Sequence, residues 1–216
     1  MKPLINIFLI IVISSCASID TNRIAPGYVQ AFSAMKQLVL GVENDIDPEI
    51  IKGIPYASML VRFGDGPTAL MILESRVNDD YSWVSADGVY LVTNNGRIIK
   101  TYGLNNNLSE KLTNHISWSD DLYNSQKFIS YYSFRDPDLI NLKVTSSYLQ
   151  KGDQAVSLTF NVKTLKLIEE TIVSKDVGWD KTNRYWIDKD NFVWKSIQNI
   201  SPRLPEVYIE VTKKPR

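Results

Sequence analysis

Two-residue turn signals that separate short apolar and aromatic runs constrain the fold of this chain more than any other feature. Asp87-Gly88 and Asn95-Gly96 each stand between two strand-like runs. Because Asn, Asp and Gly tolerate the positive φ of type I′ and II′ turns, each pair predicts a β-hairpin. Further turns are expected at 64–67, Asp136-Pro137 and 151–153. Successive hairpins predict an antiparallel sandwich or barrel.

We therefore expect an all-β fold with about ten or eleven strands, curled into an antiparallel barrel or half-barrel. The strand-like runs lie between residues 56 and 212. The predicted turn at 151–153 separates a strand at 139–149 from a strand at 154–162. Residues 108–114 are expected to form a short helical turn that Asn107 caps.

An N-terminal amphipathic helix is expected before the first strand. Pro26 suits the first turn of a helix and Gly41 suits its end. The apolar residues that recur between them at helical spacing are Tyr28, Phe32, Met35 and Val39. We expect this apolar face to pack on the β domain. A second short helical turn is expected to begin at Asp47.

The composition is that of an ordinary globular domain. Hydrophobic residues make up 44% of the chain and charged residues 22%. The chain has 24 basic and 24 acidic residues. A nucleic-acid-binding protein usually carries a basic excess, so no nucleic-acid partner is expected. Eleven Tyr, seven Phe and five Trp residues fit a β-rich domain.

The first fifteen residues have the layout of a secretory signal peptide. Lys2 precedes an apolar run at 4–13, and small residues follow that run. A membrane-spanning helix needs about twenty apolar residues, so the run is too short for a permanent anchor. We therefore divide the chain into a signal peptide at 1–15, a tether at 16–25 and a single β-rich periplasmic domain at 26–216.

The segment Ile13-Ser14-Ser15-Cys16 resembles the lipobox of bacterial lipoproteins. The resemblance implies cleavage before Cys16, a diacylglycerol on its thiol and a fatty acid such as palmitate on its new amino group. Several acyl chains give a stable membrane anchor. Cys16 is the only cysteine, so no internal disulfide is expected. Ala17 replaces the Asp that retains enterobacterial lipoproteins at the inner membrane, which favours a periplasm-facing position at the outer membrane.

Few residues offer catalytic or metal-binding chemistry. His115 is the only histidine, and no G-x-S-x-G motif accompanies it. No spacing predicts a metal site or a phosphate loop, so we expect no cofactor. The remaining enzyme signal is adjacent carboxylates, at Asp79-Asp80, Asp120-Asp121 and Glu169-Glu170. Neighbours on a strand point to opposite faces, so these pairs do not indicate catalysis, and we do not expect an enzyme.

Two groups of segments resemble the YjbF/GfcB family of capsule and exopolysaccharide lipoproteins. The matching segments are Trp-Val-Ser-Ala-Asp-Gly-Val at 83–89, Asn-Gly-Arg at 95–97, Thr-Tyr-Gly-Leu at 101–104, Arg-Tyr-Trp-Ile-Asp at 184–188, Phe-Val-Trp-Lys-Ser-Ile-Gln at 192–198 and Pro-Arg-Leu-Pro at 202–205. Asp190-Asn191 stands where a glycine-containing turn is expected. Asn also tolerates the left-handed conformation, so the turn is expected to persist.

The resemblance implies an all-β domain that is LolA-like in outline, that is, similar to the half-barrels of lipoprotein carriers. It implies a non-catalytic accessory in capsule or exopolysaccharide secretion or assembly. Its partners are then the membrane, through the lipid anchor, and the polysaccharide or the polysaccharide-export proteins of the envelope. A lipid or lipoprotein carrier is one alternative, which needs a continuous apolar cavity with an open mouth. A polysaccharide-modifying enzyme is another, which needs two carboxylates facing each other across a cleft.

The candidate binding residues are Arg97, Arg203, Trp83 and Trp186. Arg97 follows a tight turn and Arg203 lies between two prolines, where loops tend to be exposed and to carry function. A guanidinium offers five donors, which suits acidic sugars or carboxylates of a partner. Both arginines can equally pin the tail to the sheet. Flat faces for sugar rings are offered by Tyr185, Trp186, Trp194, Trp83 and Trp179, although large rings more often fill cores.

Overall fold

The computed structural model describes residues 46–113, 117–118 and 127–215. In this part of the chain, twelve antiparallel strands form one sheet. A helix, α1 (Pro48–Gly53), precedes them, and a turn of 3-10 helix (Lys175–Val177) lies between β9 and β10. The strands are β1 (Ser58–Phe63), β2 (Thr68–Val77), β3 (Asp80–Ser85), β4 (Tyr90–Asn94), β5 (Arg97–Tyr102), β6 (Asn107–Thr113), β7 (Phe128–Arg135), β8 (Leu139–Ser157), β9 (Val162–Ser174), β10 (Trp179–Ile187), β11 (Val193–Gln198) and β12 (Val207–Lys213).

The sheet curls into a nearly closed barrel. Its strand order is β5-β4-β3-β2-β1-β12-β11-β10-β9-β8-β7-β6, so the first and last strands pair and β5 and β6 form the two edges. The edges meet where the Leu108 backbone N–H donates to Thr101 Oγ1 at 2.9 Å. The predicted all-β fold is therefore confirmed, as a barrel with twelve strands instead of ten or eleven.

The predicted hairpin at Asn95-Gly96 is confirmed. Both residues have positive φ, 48° and 76°. Asn94 and Arg97 pair directly across the turn. A two-residue primed turn requires these backbone angles. Few residue types tolerate positive φ, so the two residues alone were enough to predict the turn.

The helical turn predicted at 108–114 is wrong, because residues 107–113 form strand β6. The Asn107 side chain does not cap a helix. It closes the preceding loop instead, since its Oδ1 accepts from Leu104 N at 3.0 Å and its Nδ2 donates to Leu104 O at 2.9 Å. Lys111 pairs with Tyr132 of β7, and this tertiary pairing overrides the local helical pattern.

The turn predicted at 151–153 is also wrong. Strand β8 runs through it, with a bulge between Gln150 and Gly152. Gly152 has a φ of 93°, as expected of a glycine at a β-bulge. The chain turns later, where Leu158 N donates to Asn161 O at 2.8 Å. The β8–β9 hairpin is therefore longer than the sequence indicated.

The second predicted helical turn is α1, and Asp47 caps it by accepting from Glu49 N at 2.9 Å. Helix α1 packs Ile51 against the outer face of β2 and β3. The amphipathic helix predicted at 26–41 lies outside the described residues. Within the described ranges, no helix has the length and apolar character needed to cross a membrane.

The inner face of the barrel is filled by side chains. Alternation along β2 separates Met71, in the interior cluster, from Leu70 and Ile72, in the outer cluster beneath α1. The large buried side chains of the interior are Met59, Trp83, Leu91, Ile98, Leu108, Phe134, Ile168, Ile172, Trp179 and Tyr185. The interior is therefore a packed core.

Candidate functional site

A pocket of about 240 Å³ opens at the end of the barrel where the β4–β5 and β10–β11 turns meet. Its side chains come from strands that are far apart in sequence and that the β1–β12 pairing brings together. Four aromatic residues contribute to its walls, together with Thr93, Asn95, Asp190, Lys195 and Lys214. The aromatic residues are Tyr81, Trp83, Phe192 and Trp194.

The aromatic residues form two edge-to-face pairs. The ring centroids of Tyr81 and Trp83 are 6.3 Å apart, and those of Phe192 and Trp194 are 5.1 Å apart. Trp83 is 2% exposed, and its indole N–H donates to Thr93 Oγ1 at 2.9 Å. The other three rings are half-buried. Trp83 therefore forms the floor, and the partly exposed rings form the walls of what we call the aromatic pocket.

Asp188 holds one wall of the aromatic pocket in place. Its Oδ1 accepts from the backbone N–H groups of Asp190 and Phe192, both at 2.9 Å. Its Oδ2 accepts from the Trp194 indole N–H at 2.8 Å. Asn191 has a φ of 61°, so the left-handed turn expected at this position is present. One carboxylate thus holds the turn, the backbone of Phe192 and the indole of Trp194.

The Asp188 carboxylate is ionised at neutral pH. Burial by itself raises the pKa of Asp188. The hydrogen bonds from Trp194, Phe192 and Asp190, together with the charge of Lys214, lower it, and the net pKa lies below the ordinary value. A charged acceptor forms stronger hydrogen bonds than a neutral one, which makes the wall more rigid.

Two ammonium groups lie over the rings of this wall. Lys214 Nζ is 4.4 Å from the centroid of Phe192, and Lys163 Nζ is 4.3 Å from the centroid of Trp194. Lys214 is exposed and Lys163 is half-buried. The aromatic pocket can therefore offer a flat apolar surface and positive charge to the same ligand.

Behind the aromatic pocket, the barrel encloses a charged cluster around Glu170, which is 1% exposed. Its carboxylate accepts from the hydroxyls of Tyr148 at 2.6 Å and Tyr185 at 2.8 Å. It also accepts from Asn183 Nδ2 at 3.0 Å. Each of these three donors lies on a strand that pairs with β9.

The charged cluster is ionised as well as buried. Burial raises the pKa of Glu170, but the charges of Lys111 and Arg97 and the hydrogen bonds from its neighbours lower it below its usual range. Burial, and the nearby charge of Glu170, raise the pKa of Tyr148 and Tyr185, so both remain neutral donors. The cluster lies in the packed interior of the barrel, where Glu170 and Arg97 are 1% and 4% exposed.

Arg97 was expected to be exposed, but it is 4% exposed and belongs to this buried cluster. Arg203 is exposed, at the opposite end of β11 from the aromatic pocket. Trp186 is half-buried on the outer face, where its indole N–H donates to Gln154 Oε1 at 3.3 Å. Of the four candidate residues, Trp83 alone lines the aromatic pocket.

Sequence reasoning missed Tyr81, Phe192 and Lys214. Phe192 and Trp194 are two residues apart, a spacing that places both side chains on one face of a strand. That spacing was available in the sequence. Their meeting with Tyr81 was not, because it depends on strand pairing between the two halves of the chain.

Strand geometry separates the two carboxylates of the Glu169-Glu170 pair. Glu169 and Glu170 point to opposite faces, since Glu169 forms ion pairs with Lys151 at 3.3 Å and Arg184 at 3.4 Å on the outside. Residues 46–113, 117–118 and 127–215 hold no group of His, Cys, Asp and Glu that could bind a metal ion. His115, Asp120 and Asp121 lie outside the described residues, as does Cys16.

The fold and the pocket define a barrel protein with a filled core and an aromatic pocket at one end. The same fold is present in the crystal structure of the hypothetical lipoprotein YmcC from Escherichia coli (K12). The TM-score is 0.72 at 22% identity, over 89% of this chain and 97% of that one.

The chain belongs to the YjbF family, described as "Group 4 capsule polysaccharide lipoprotein gfcB, YjbF", whose model matches residues 31–212. It is 26% identical over 162 residues to the uncharacterized lipoprotein GfcB of Escherichia coli (strain K12), over 66% of this chain and 72% of that protein. It is 24% identical over 162 residues to the uncharacterized lipoprotein YjbF of the same strain, over 68% of this chain and 71% of that protein. The family expected from the sequence motifs is confirmed.

Proposed function

We propose that this protein is a lipid-anchored, non-catalytic accessory in capsule or exopolysaccharide secretion or assembly, and that it holds the saccharide in the aromatic pocket. Family membership supports the capsule context. The observation that carries the binding role is the arrangement of Tyr81, Phe192 and Trp194 around a pocket of about 240 Å³.

The chemistry of the aromatic pocket suits a sugar ring. A pyranose presents C–H groups on its faces and hydroxyls at its edge. Rings with an apolar body can stack on those faces, and a few convergent polar groups can fix the orientation. Asn95 and Asp190 stand among the lining residues and supply such groups. The wall is also rigid, because Asp188 fixes it, so binding orders few side chains.

The two alternative functions, a lipid or lipoprotein carrier and a polysaccharide-modifying enzyme, receive less support from the structure. A carrier needs a continuous apolar cavity, and in the described part of the barrel the middle holds Arg97, Glu170 and packed side chains. A glycosidase needs two carboxylates about 5 to 9.5 Å apart on either side of the bond that it cleaves. At the aromatic pocket, Asp188 is engaged by three donors that fix the wall, which is a structural role.

The proposed location is the periplasmic side of the outer membrane. The support is the lipobox at 13–16 and the Ala17 that follows it. The division into a signal peptide, a tether and one domain rests on the same segment and remains a prediction. A tether of this length keeps the domain close to the membrane surface.

The experiment is a titration of the purified mature lipoprotein, in neutral detergent, with the polysaccharide secreted by its own strain. Trp194→Ala removes one wall of the aromatic pocket, and we expect at least a tenfold loss of affinity. Trp186→Ala is the matched control, because Trp186 is also half-buried but lies on the outer face. Equal losses in both variants, at equal thermal stability, would show that the pocket is not the binding site.

A further inference from the structure

The positive charge at the aromatic pocket carries information about the kind of sugar that it holds. Lys214 lines the pocket and stands over Phe192, and Lys163 stands over Trp194, the second ring of the same wall. Among residues 46–113, 117–118 and 127–215, the ion pairs within 4.0 Å include neither lysine. Of these two lysines only Lys214 lines the pocket, and a neutral sugar gains little from its ammonium group.

We propose that the aromatic pocket selects a sugar residue that carries a carboxylate, with Lys214 as the specificity-determining residue; this inference rests on the proposed saccharide-binding function. A cation over an aromatic ring at an exposed position is weakly held. A charge-assisted hydrogen bond to a carboxylate is stronger. The Lys214 ammonium therefore gains by turning from Phe192 towards an acidic ligand, while the ring stays free to stack on the sugar.

Two acidic residues, Asp188 and Asp190, also affect how the pocket would bind an anionic sugar. Asp188 already accepts three hydrogen bonds, so its charge is largely satisfied. The exposed Asp190 side chain also lines the pocket and opposes an anionic ligand. Removing the Asp190 charge is therefore expected to strengthen binding of an acidic sugar, the opposite sign to removing the Lys214 charge.

The test compares two forms of one polymer on the full mature lipoprotein in neutral detergent. The first form is the native polysaccharide of the producing strain. The second is the same polymer after carbodiimide activation and borohydride reduction, which convert each carboxylate to a primary alcohol. We expect the native form to bind at least tenfold more tightly than the reduced form, with a preference that falls as salt rises.

The variants assign that preference to Lys214. Lys214→Gln is expected to lower affinity for the native polymer severalfold and to change affinity for the reduced polymer by a much smaller factor. Asp190→Asn is expected to raise affinity for the native polymer. Lys143→Gln is the control, because Lys143 is exposed on β8 and does not line the pocket.

The outcomes separate the two proposals. Equal binding of both forms by the wild type, or an effect of Lys143→Gln equal to that of Lys214→Gln, overturns the acidic-sugar inference and leaves saccharide binding intact. Binding of neither form overturns the proposed function, and the inference with it.

Discussion

The guanidinium carbon of Arg97 lies 3.4 Å from the ring centroid of Trp118, inside the barrel. Tyr148 and Tyr185 flank the same cation at 5.3 and 5.6 Å. A desolvated cation over an aromatic face contributes about 2 kcal/mol or more, and this charge also lowers the pKa of Glu170. The residue that leaves the Asn95-Gly96 turn is therefore part of the core.

Arg97→Ala is expected to lower the free energy of unfolding by about 3 to 5 kcal/mol, because it leaves the buried Glu170 carboxylate with less compensation. Arg203→Ala is the matched control and is expected to change it by less than about 0.5 kcal/mol, since Arg203 is exposed. Urea denaturation of both variants checks the difference. Similar losses in the two variants would contradict the buried role of Arg97.

Glu170 is expected to make stability depend on acid pH. Its folded-state pKa is lowered, so as pH falls the unfolded state takes up the proton first. The stabilisation is complete above the unfolded value of about 4.3 and is lost as pH falls through the folded value. The free-energy gap between wild type and Glu170→Gln should therefore be largest at neutral pH and narrow below about pH 4.3.

Glu169→Gln is the control for that measurement. Glu169 is the neighbouring residue and forms ion pairs on the outer face with Lys151 and Arg184. Pairs in contact with solvent contribute about 0 to 1 kcal/mol. Chemical denaturation between pH 3 and pH 7 should show a gap that is small for Glu169→Gln at every pH. If the difference in free energy of unfolding between wild type and Glu170→Gln also does not change with pH, Glu170 is not ionised in the folded protein.

The sequence allowed the turn at Asn95-Gly96 to be predicted, because a primed turn demands a backbone that few residues adopt. It did not allow the strand at 107–113 or the bulge at Gly152 to be predicted. In both places, pairing with a neighbouring strand sets the backbone conformation. The strand at 107–113 pairs with β7, and the strand that contains Gly152 pairs with β9. Local propensity is a weak guide wherever pairing with a distant strand decides the conformation.

The candidate site could also be predicted only in part from the sequence. Trp83, one of the candidate binding residues, lines the aromatic pocket, and the shared face of Phe192 and Trp194 follows from their spacing. The burial of Arg97 could not be predicted, because exposure near a tight turn depends on what packs over it. Here Trp118 does so, and its indole N–H donates to Asn95 O at 2.9 Å.

Gly96→Ala is expected to destabilise the protein by more than Gly88→Ala. Both glycines have positive φ, 76° and 84°, so both substitutions strain the backbone by about 1 to 2 kcal/mol. A Cβ at Gly96 would lie 2.4 Å from Val193 Cβ, whereas a Cβ at Gly88 meets nothing within 4 Å. Overpacking adds about 1 to 3 kcal/mol. Melting temperatures check the order, and equal losses in the two variants would contradict it.

Cys16→Ser is expected to abolish acylation and leave an unprocessed or mislocalised precursor, because the thiol is the proposed attachment point of the lipid. Metabolic labelling with a fatty-acid probe, followed by membrane fractionation, measures both effects. A variant that still takes up the probe and still fractionates with the outer membrane would refute the lipid anchor at Cys16.

Secretion of polysaccharide by strains that carry Trp194→Ala or Trp186→Ala, at wild-type protein levels, tests the central claim most directly. The claim is that the aromatic pocket holds the saccharide. It predicts that Trp194→Ala lowers secreted polysaccharide severalfold and that Trp186→Ala leaves it near the wild-type amount. Wild-type secretion with Trp194→Ala, or an equal loss with both variants, would contradict it.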